Sequence, residues 1–218
     1  MRSEETAAPD KKRTFIEAAR RAQIVAAAID TVAELGYGQA SLARIAERAG
    51  ISKGVILYHF ADKDDLIREL VTDLVAKAEA YMRPRMDAQS TAVGILSAYI
   101  ESNLGFMREN RNHVTATVDI ALNARAADGS RLFDASILET GQAALQQLLA
   151  RFQDAGEFRA DFDPAVMALA IRAAIDAVGT RLAHDPALDV DHHAREIADL
   201  FNVATRPEGG RRDDETVL

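Results

Sequence analysis

The sequence predicts an all-α protein, on three observations. Apolar residues recur at intervals of three and four along most of the chain, which is the spacing of one helix face. Ala, Leu, Glu and Arg dominate the composition, and these residues favour helices. Only five of the 218 residues are Pro, Trp is absent, and the alternation of β-branched residues that marks strands is rare.

Composition also limits the class of protein. A hydrophobic content of 48% is normal for a soluble globular protein, and 218 residues can form one large core or two small ones. The absence of Cys excludes disulfides, thiolate zinc sites and cysteine nucleophiles, and it fits a reducing, cytoplasmic location. No run of about 18 apolar residues occurs, and the polar segment Met1–Arg13 lacks the apolar core of a secretory signal, so we expect no membrane association.

The chain starts with residues 1–13, which mix charge and Pro and are predicted to form a disordered tail. From Thr14 to Leu35 we predict a scaffold helix, which Gly36 and Gly38 end in a turn. Its predicted packing face carries Ile16, Ala19, Gln23, Ile24, Ala27, Thr31 and Val32.

Residues 41–60 have the pattern of two short helices joined by a tight turn. Ser41 can cap the first helix, and Gly50 can adopt the left-handed conformation that ends it. The first helix places four apolar residues on one face, namely Leu42, Ile45, Ala46 and Ala49.

Ser52 can cap the second helix, which we expect from Lys53 to about His59. The whole unit is a helix-turn-helix, in which the second helix lies in the major groove of DNA and its first residues face base edges. The candidates for reading bases are therefore Lys53, Gly54 and Val55.

The net charge of −8 argues at first against a nucleic-acid partner, because polyanions repel acidic proteins. The charge is unevenly distributed, however. Residues 11–53 hold eight basic and four acidic side chains, a local charge of +4. Screening limits the reach of a charge to about 8–10 Å at physiological salt, so a basic N-terminal face can bind phosphates although the rest of the chain is acidic.

A long helix is predicted after the second short one. Asp62 can cap it, with Asp65 as the capping-box partner, and Pro84 disfavours helix beyond residue 82. This linking helix, residues 62–83, would be about 30 Å long at about 1.5 Å per residue, enough to leave one domain and enter another.

Five further helices are predicted, at about 90–110, 113–124, 131–155, 164–182 and 190–204. In the fourth of these, only Arg172 and Asp176 are charged between residues 165 and 178, so it needs cover on nearly every side. We infer that the last two helices are covered by a second copy, which makes the protein a homodimer. The predicted domains are the helix-turn-helix domain 14–61 and a helical domain 62–204, followed by a disordered tail 205–218.

Residues 14–75 resemble the TetR family of bacterial transcriptional regulators. The phrase ISKGVILYHF followed by ADKDDL is similar to that family's recognition helix and the start of its next helix. The resemblance implies that Tyr58 and His59 contact phosphates and that Lys63 pins the DNA backbone. Leu57 replaces a Tyr that is frequent in the family, which removes one phosphate donor.

Other candidate DNA contacts follow from residue type. Ser41 and Arg44 suit phosphate, because a helix start and its cap hydroxyl favour anions. Val55 stands where the family usually carries Thr or Ser, and it either touches a thymine methyl or fills space. The full set of candidates is Ser41, Arg44, Ser52, Lys53, Gly54, Val55, Tyr58, His59 and Lys63.

Beyond residue 75 the resemblance implies an all-helical region that binds a ligand and dimerises. Polar residues embedded in apolar helices are the leads for an effector pocket, namely Asn103, His113, Asp119, Asn123, Arg172 and Asp176. Adaptable apolar residues that could line it are Phe106, Met107, Phe133 and Met167, although core packing is the default for such residues. For Arg172 and Asp176, four residues apart, a structural ion pair is favoured.

Catalytic and metal motifs are missing from the sequence. Residues 184–193, HDPALDVDHH, invite a metal-site interpretation, but neither H-E-x-x-H nor E-x-x-H occurs, and a solvated helix cap is favoured. There is no Gly-rich phosphate loop and no G-x-S-x-G elbow. We therefore predict no metal, no cofactor and no enzymatic activity.

The sequence thus predicts a homodimeric, ligand-responsive transcriptional regulator. Its partners would be a palindromic double-stranded DNA operator and a small apolar or amphipathic effector that releases it, and the resemblance favours a repressor over an activator. Two alternatives stay open. One is a helical bundle that carries or modifies a small ligand, and the other is a DNA-bound regulator without a small-molecule effector.

Overall fold

The computed structural model describes residues 8–125, 136–185 and 187–207. In these ranges the chain forms nine helices and no strand, which confirms the all-α class. None of the helices there is long and apolar enough to cross a membrane. The helices are α1 (Ala8–Leu35), α2 (Leu42–Ala49), α3 (Lys53–His59), α4 (Lys63–Asp87), α5 (Ala92–Glu109), α6 (Arg111–Asn123), α7 (Ser136–Asp154), α8 (Pro164–His184) and α9 (Val190–Thr205).

Two helix boundaries differ from the prediction. α1 begins at Ala8 rather than Thr14, so the predicted tail 1–13 overlaps its start, where Pro9 is compatible with a first turn. α4 continues through Pro84 to Asp87. Met82 and Met86 pack against the core on either side of Pro84, and their burial outweighs the hydrogen bond that proline cannot donate. Residues 1–7 and 208–218 of the predicted tails lie outside the described residues.

The chain separates into two compact units. The first unit comprises Met1–Ala76 and Thr115–Leu132, and the second comprises Lys77–Val114 and Phe133–Leu218. Helices α4 and α6 therefore each contribute residues to both units.

The core of the first unit joins α1, α2, α3 and the first half of α4. Its largest fully buried side chains are Ile24, Ile29, Ile45, Ile56, Phe60, Leu66, Ile67 and Leu70. The predicted packing face of α1 is correct from Ile24 onward. It is wrong for Ile16, Ala19 and Gln23, which are exposed. Between residues 16 and 35 of α1, the first buried residue is Ile24.

In the second unit, α5 packs against α8 and α9, and α7 packs against α8. The segment before α8 also fixes the end of α9. The Arg159 N–H donates to the Thr205 carbonyl at 3.0 Å, and the Arg159 guanidinium donates to the Ala204 carbonyl at 2.5 Å. These bonds satisfy carbonyls that have no partner within the helix.

The turn between α2 and α3 depends on Gly50. Its φ is +66°, which confirms the predicted left-handed conformation. The N–H groups of Gly50 and Ile51 donate to the carbonyls of Glu47 and Ala46, at 3.1 and 3.0 Å. This pair of bonds is a Schellman motif, which ends α2 and sets the direction of the chain into α3.

We expect Gly50→Ala to lower the free energy of unfolding by about 1–2 kcal/mol, because an L-residue is strained in the left-handed region. A methyl group at Gly50 would meet no heavy atom within 4 Å, so the loss reports strain rather than a clash. Gly38→Ala is the matched control, since Gly38 has equally open surroundings and no positive φ. Urea unfolding of both variants measures the difference, and equal midpoints would contradict this account.

Candidate functional site

Helix α3, seven residues from Lys53 to His59, presents most of its surface to solvent. Ile56 is fully buried, and four other positions of the helix are exposed, namely Lys53, Gly54, Leu57 and Tyr58. Val55 and His59 are half-buried. The side chain of Tyr58 is 76% exposed, which argues against a core-packing role for it.

Hydroxyl groups cap both helices of the helix-turn-helix, as predicted. The Ser41 Oγ accepts the Arg44 N–H at 3.3 Å, and the Ser52 Oγ accepts the Val55 N–H at 3.4 Å. The Arg44 guanidinium donates to the carbonyl and side-chain oxygens of Gln39, at 3.4 and 3.3 Å. Because Ser41, Ser52 and Arg44 are all exposed, these polar groups lie where a phosphate could reach them.

Gly54 is not required by the protein itself. Its backbone φ is not positive, so the conformation does not need glycine. A Cβ atom at this position would lie 3.7 Å from the Ser52 Oγ, an ordinary contact distance. Glycine costs a helix about 1 kcal/mol relative to alanine. The missing side chain therefore leaves room for something outside the protein, which agrees with close approach of a partner's surface.

The other end of α3 is anchored to α1 and α4. The Arg21 Nη1 donates to the His59 carbonyl at 2.6 Å, and the guanidinium lies 4.4 Å from the centre of the Phe60 ring. Arg21 also pairs with Glu69 at 3.2 Å. Phe60 is buried and belongs to the core. These contacts hold α3 in place and leave its outward face open.

Lys63 has partners within the first unit. Its ammonium donates to the Tyr37 carbonyl at 2.5 Å and lies 3.8 Å from the centre of the Tyr37 ring. The Tyr37 N–H donates to the carboxylate of Asp119 on α6, and the Tyr37 hydroxyl donates to Asp64 at 3.5 Å. These contacts fix the turn after α1 against α4, and the contact of Lys63 with DNA stays a prediction.

Burial and charge act in opposite directions on Lys63. Burial lowers the pKa of its ammonium, while Asp64 and Asp119 oppose that shift. For Tyr37 the two effects have the same direction, because burial raises the pKa of the phenol and the nearby Asp64 raises it further. At Lys63 burial is the larger effect, so its pKa is lowered and the acidic neighbours offset only part of the loss of water.

In the second unit, Arg172 is the centre of a polar cluster with only 18% of its side chain exposed. Its guanidinium donates to Asp176 at 2.8 Å, and to the Tyr99 hydroxyl and the Asn103 side-chain oxygen at 3.3 Å each. Burial opposes the charge, but Tyr99 and Asp176 outweigh it and the pKa of Arg172 is raised. The predicted ion pair is confirmed, and the structure adds Asn103 to it.

The apolar effector candidates are part of the packed interior. Phe106 is buried, and its ring centre lies 5.7 Å from that of Tyr81. Met107 and Met167 pack against the core of the second unit. Phe133 lies outside the described residues. Whether these side chains line an effector pocket stays a prediction.

The remaining polar candidates are on α6. Asp119 and Asn123 belong to the first unit, where the Asn123 amide donates to the Asp119 carboxylate at 2.8 Å. His113 is half-buried and belongs to the second unit. In the described structure Asp119 therefore positions the turn at Tyr37, which gives it a partner that the sequence did not suggest.

Among the described residues, no group of three or more acidic or His side chains is arranged to hold a metal ion. Within residues 184–193, Asp189 caps α9 by accepting the His192 N–H at 2.9 Å. This hydrogen bond lowers the pKa of Asp189. The predicted cap is confirmed.

Sequence reasoning missed two residues at these sites. Tyr37 holds Lys63, and Tyr99 binds Arg172. Tyr99 fitted the apolar period of α5, so its hydroxyl carried no separate signal. The only sequence signal for Tyr37 was its place between two glycines after a long helix.

Comparison with known proteins supports the geometry of the helix-turn-helix. Residues 24–70 match the family model "Bacterial regulatory proteins, tetR family". The chain is 34% identical over 89 residues to the HTH-type transcriptional regulator BetI of Stenotrophomonas maltophilia, covering 40% of this chain and 45% of BetI. It is 35% identical over 100 residues to BetI of Ectopseudomonas mendocina, covering 46% and 43%. The chain thus spans less than half the length of these relatives.

Solved structures share the fold over most of the chain. The fatty acid degradation regulator FadR of Bacillus halodurans has a TM-score of 0.74 at 22% identity, covering 88% of this chain and 96% of FadR. FadR of Bacillus subtilis in complex with stearoyl-CoA has a TM-score of 0.72 at 23% identity, covering 82% and 95%. All of these proteins are regulators, and none is an enzyme. Residues 24–70 thus match the tetR family of bacterial regulatory proteins, and the described chain shares its all-helical fold with these solved regulators.

Proposed function

We propose that this protein is a homodimeric transcriptional regulator that binds a palindromic DNA operator and is released by a small effector. One observation carries the proposal. The outward face of α3 is exposed, while Ile56 and Phe60 on its inner side are buried and Arg21 holds its end. A short, rigidly anchored helix with an open face is the geometry that enters a major groove.

The charge of the first unit supports DNA as the partner of that face. Lys53, Arg44 and Arg48 are exposed, and Arg48 is partly neutralised by its ion pair with Glu34. Lys53 and Arg44 would provide cations for phosphate or base contacts, and Tyr58 would provide an exposed hydroxyl donor.

The second unit supports dimer formation. Four large apolar side chains on α8 and α9 are each more than half exposed, namely Val166, Leu169, Leu200 and Val203. On α8, Ala173 and Ala177 continue the exposed side one and two turns beyond Leu169, without a charge. An apolar helix face of this kind is stabilised by a second copy, and two-fold symmetry would supply two α3 helices to a palindrome.

An effector would act through the second unit. The proposed class is a small apolar or amphipathic molecule, and stearoyl-CoA, which FadR of Bacillus subtilis binds, is amphipathic. Such a ligand need only favour one dimer geometry by a few kcal/mol to change DNA affinity roughly 5–150-fold. A regulator that leaves its operator when the effector binds acts as a repressor. A regulator that binds DNA without a small effector is the second candidate, and a ligand-carrying bundle is the third.

A salt titration of binding to duplex DNA tests the proposal. DNA fragments are first selected from a random pool, and affinity is then measured by fluorescence anisotropy on the selected and a scrambled duplex. We expect log affinity to fall steeply with log salt concentration and the selected duplex to bind more tightly. A shallow slope without sequence preference would instead favour the ligand-carrying bundle.

Replacing Lys53 by Ala should weaken operator binding without unfolding the protein, because Lys53 is exposed. If Lys53 contacts a phosphate, we expect the salt slope to fall by about one for each copy of Lys53 in the complex. Arg151→Ala, at an exposed position on α7, removes the same charge away from α3 and should leave the slope unchanged. A slope equally altered in both variants would show a nonspecific charge effect.

Gly54→Ala should have opposite effects on folding and on DNA binding. The free energy of unfolding should rise by about 0.5–1 kcal/mol, because alanine favours the helix and fits without a clash. Operator affinity should fall, because the added methyl blocks close approach. Thermal melts and anisotropy on the same sample measure both, and unchanged operator affinity would show that DNA does not approach α3 at Gly54.

Leu169→Glu should dissociate the dimer, since it buries a charge at each copy of the apolar face. We expect the dimer dissociation constant to rise about a hundredfold or more. Val93→Glu is the control, because Val93 is an exposed apolar residue on α5 of the same unit. Analytical ultracentrifugation measures the mass, and a dimer that persists in Leu169→Glu would exclude this face.

A further inference from the structure

The side chain of Leu57 is 46% exposed on the outward face of α3, next to the fully buried Ile56. A single exposed leucine is common on protein surfaces and does not by itself indicate a binding site. The position of Leu57 on α3 is what makes it informative. Leu57 is a full turn after Lys53 and Gly54, and these three positions are exposed together.

The neighbours of Leu57 make an apolar patch beside a cation. Long side chains in a helix lean toward its N-terminus, so Leu57 covers the first turn of α3, over Gly54. Gly54 has no side chain to compete for that space. Lys53 and Tyr58 flank the patch with an ammonium and an exposed ring. The patch therefore lies on the first turn, the part of such a helix that faces base edges.

Major-groove chemistry limits what an aliphatic side chain can recognise. Among the four bases, only thymine presents an apolar group at its edge in this groove, the C5-methyl. Leu57 can neither donate nor accept a hydrogen bond. Pressed against a base amino or carbonyl group, it would leave that group without its water partner, which is unfavourable.

We propose that Leu57 determines operator specificity by packing on the methyl group of one thymine in each half-site. The inference rests on the proposed function, because it needs α3 in a major groove. It assigns to Leu57 the contact that Val55 would otherwise make. Val55 is half-buried against the protein, whereas Leu57 has the larger side chain and is exposed.

Deoxyuridine substitution tests the contact one methyl group at a time. In the selected operator, each thymine is replaced in turn by deoxyuridine, which lacks only the methyl group. Affinity is measured for the wild type, Leu57→Ala and Val55→Ala. Leu122→Ala is the matched control, since Leu122 is a leucine on α6 with 57% exposure. Thermal melts of all variants verify that they are folded.

For the wild-type protein, we expect one thymine per half-site whose replacement weakens binding about fourfold, the value for burying one methyl-sized group. Leu57→Ala should bind both forms of that operator equally, while Val55→Ala and Leu122→Ala should keep the fourfold difference. The wild-type measurement changes only the DNA, so it does not depend on how a variant folds.

Two results would overturn the inference alone. One is wild-type binding that is insensitive to every deoxyuridine, and the other is methyl sensitivity that survives in Leu57→Ala but is lost in Val55→Ala. A wild-type protein with no affinity for any selected duplex would overturn the proposed function, and the inference with it. The two failures are thus distinguishable in one set of titrations.

Discussion

The burial of Ile56 and Phe60 is the constraint on which the candidate site depends. A helix of seven residues is too short to be stable alone, because the cost of nucleation is recovered only over a longer helix or by tertiary packing. Ile56 and Phe60 provide that packing, and Arg21 binds the carbonyl of His59 at the end of the helix. The face opposite Ile56 is then open to solvent as a geometric consequence.

Two partly buried cations are held by polar partners, but with different balances: burial prevails at Lys63, whose pKa is lowered, and the partners prevail at Arg172, whose pKa is raised. Lys63 gives up part of its hydration for the Tyr37 carbonyl and ring, with Asp64 and Asp119 nearby. Arg172 does the same with Tyr99, Asn103 and Asp176. In both clusters a tyrosine is the link, because it combines an apolar ring with a polar group that can be placed at the edge of a core.

Whereas those charged groups are partly buried, some apolar side chains are exposed. Several large aliphatic side chains on α3, α8 and α9 are exposed to water and are not part of the core of either unit. Such exposure is unfavourable in the free chain and is reduced by a partner. The proposed partners differ in kind, a DNA groove for α3 and a second copy for α8 and α9, but the physical reason for association is the same.

The sequence alone determined the helices, the turn at Gly50, the caps at Ser41 and Ser52, and the TetR resemblance, because periodicity and capping are local properties of neighbouring residues. Tertiary structure decided that α4 continues past Pro84, that Lys63 binds Tyr37, and that Arg172 meets Tyr99 and Asn103. Each of these outcomes depends on burial or on a partner from another helix. Sequence spacing carries no information about which distant residue will be that partner, and so only the folded chain could supply it.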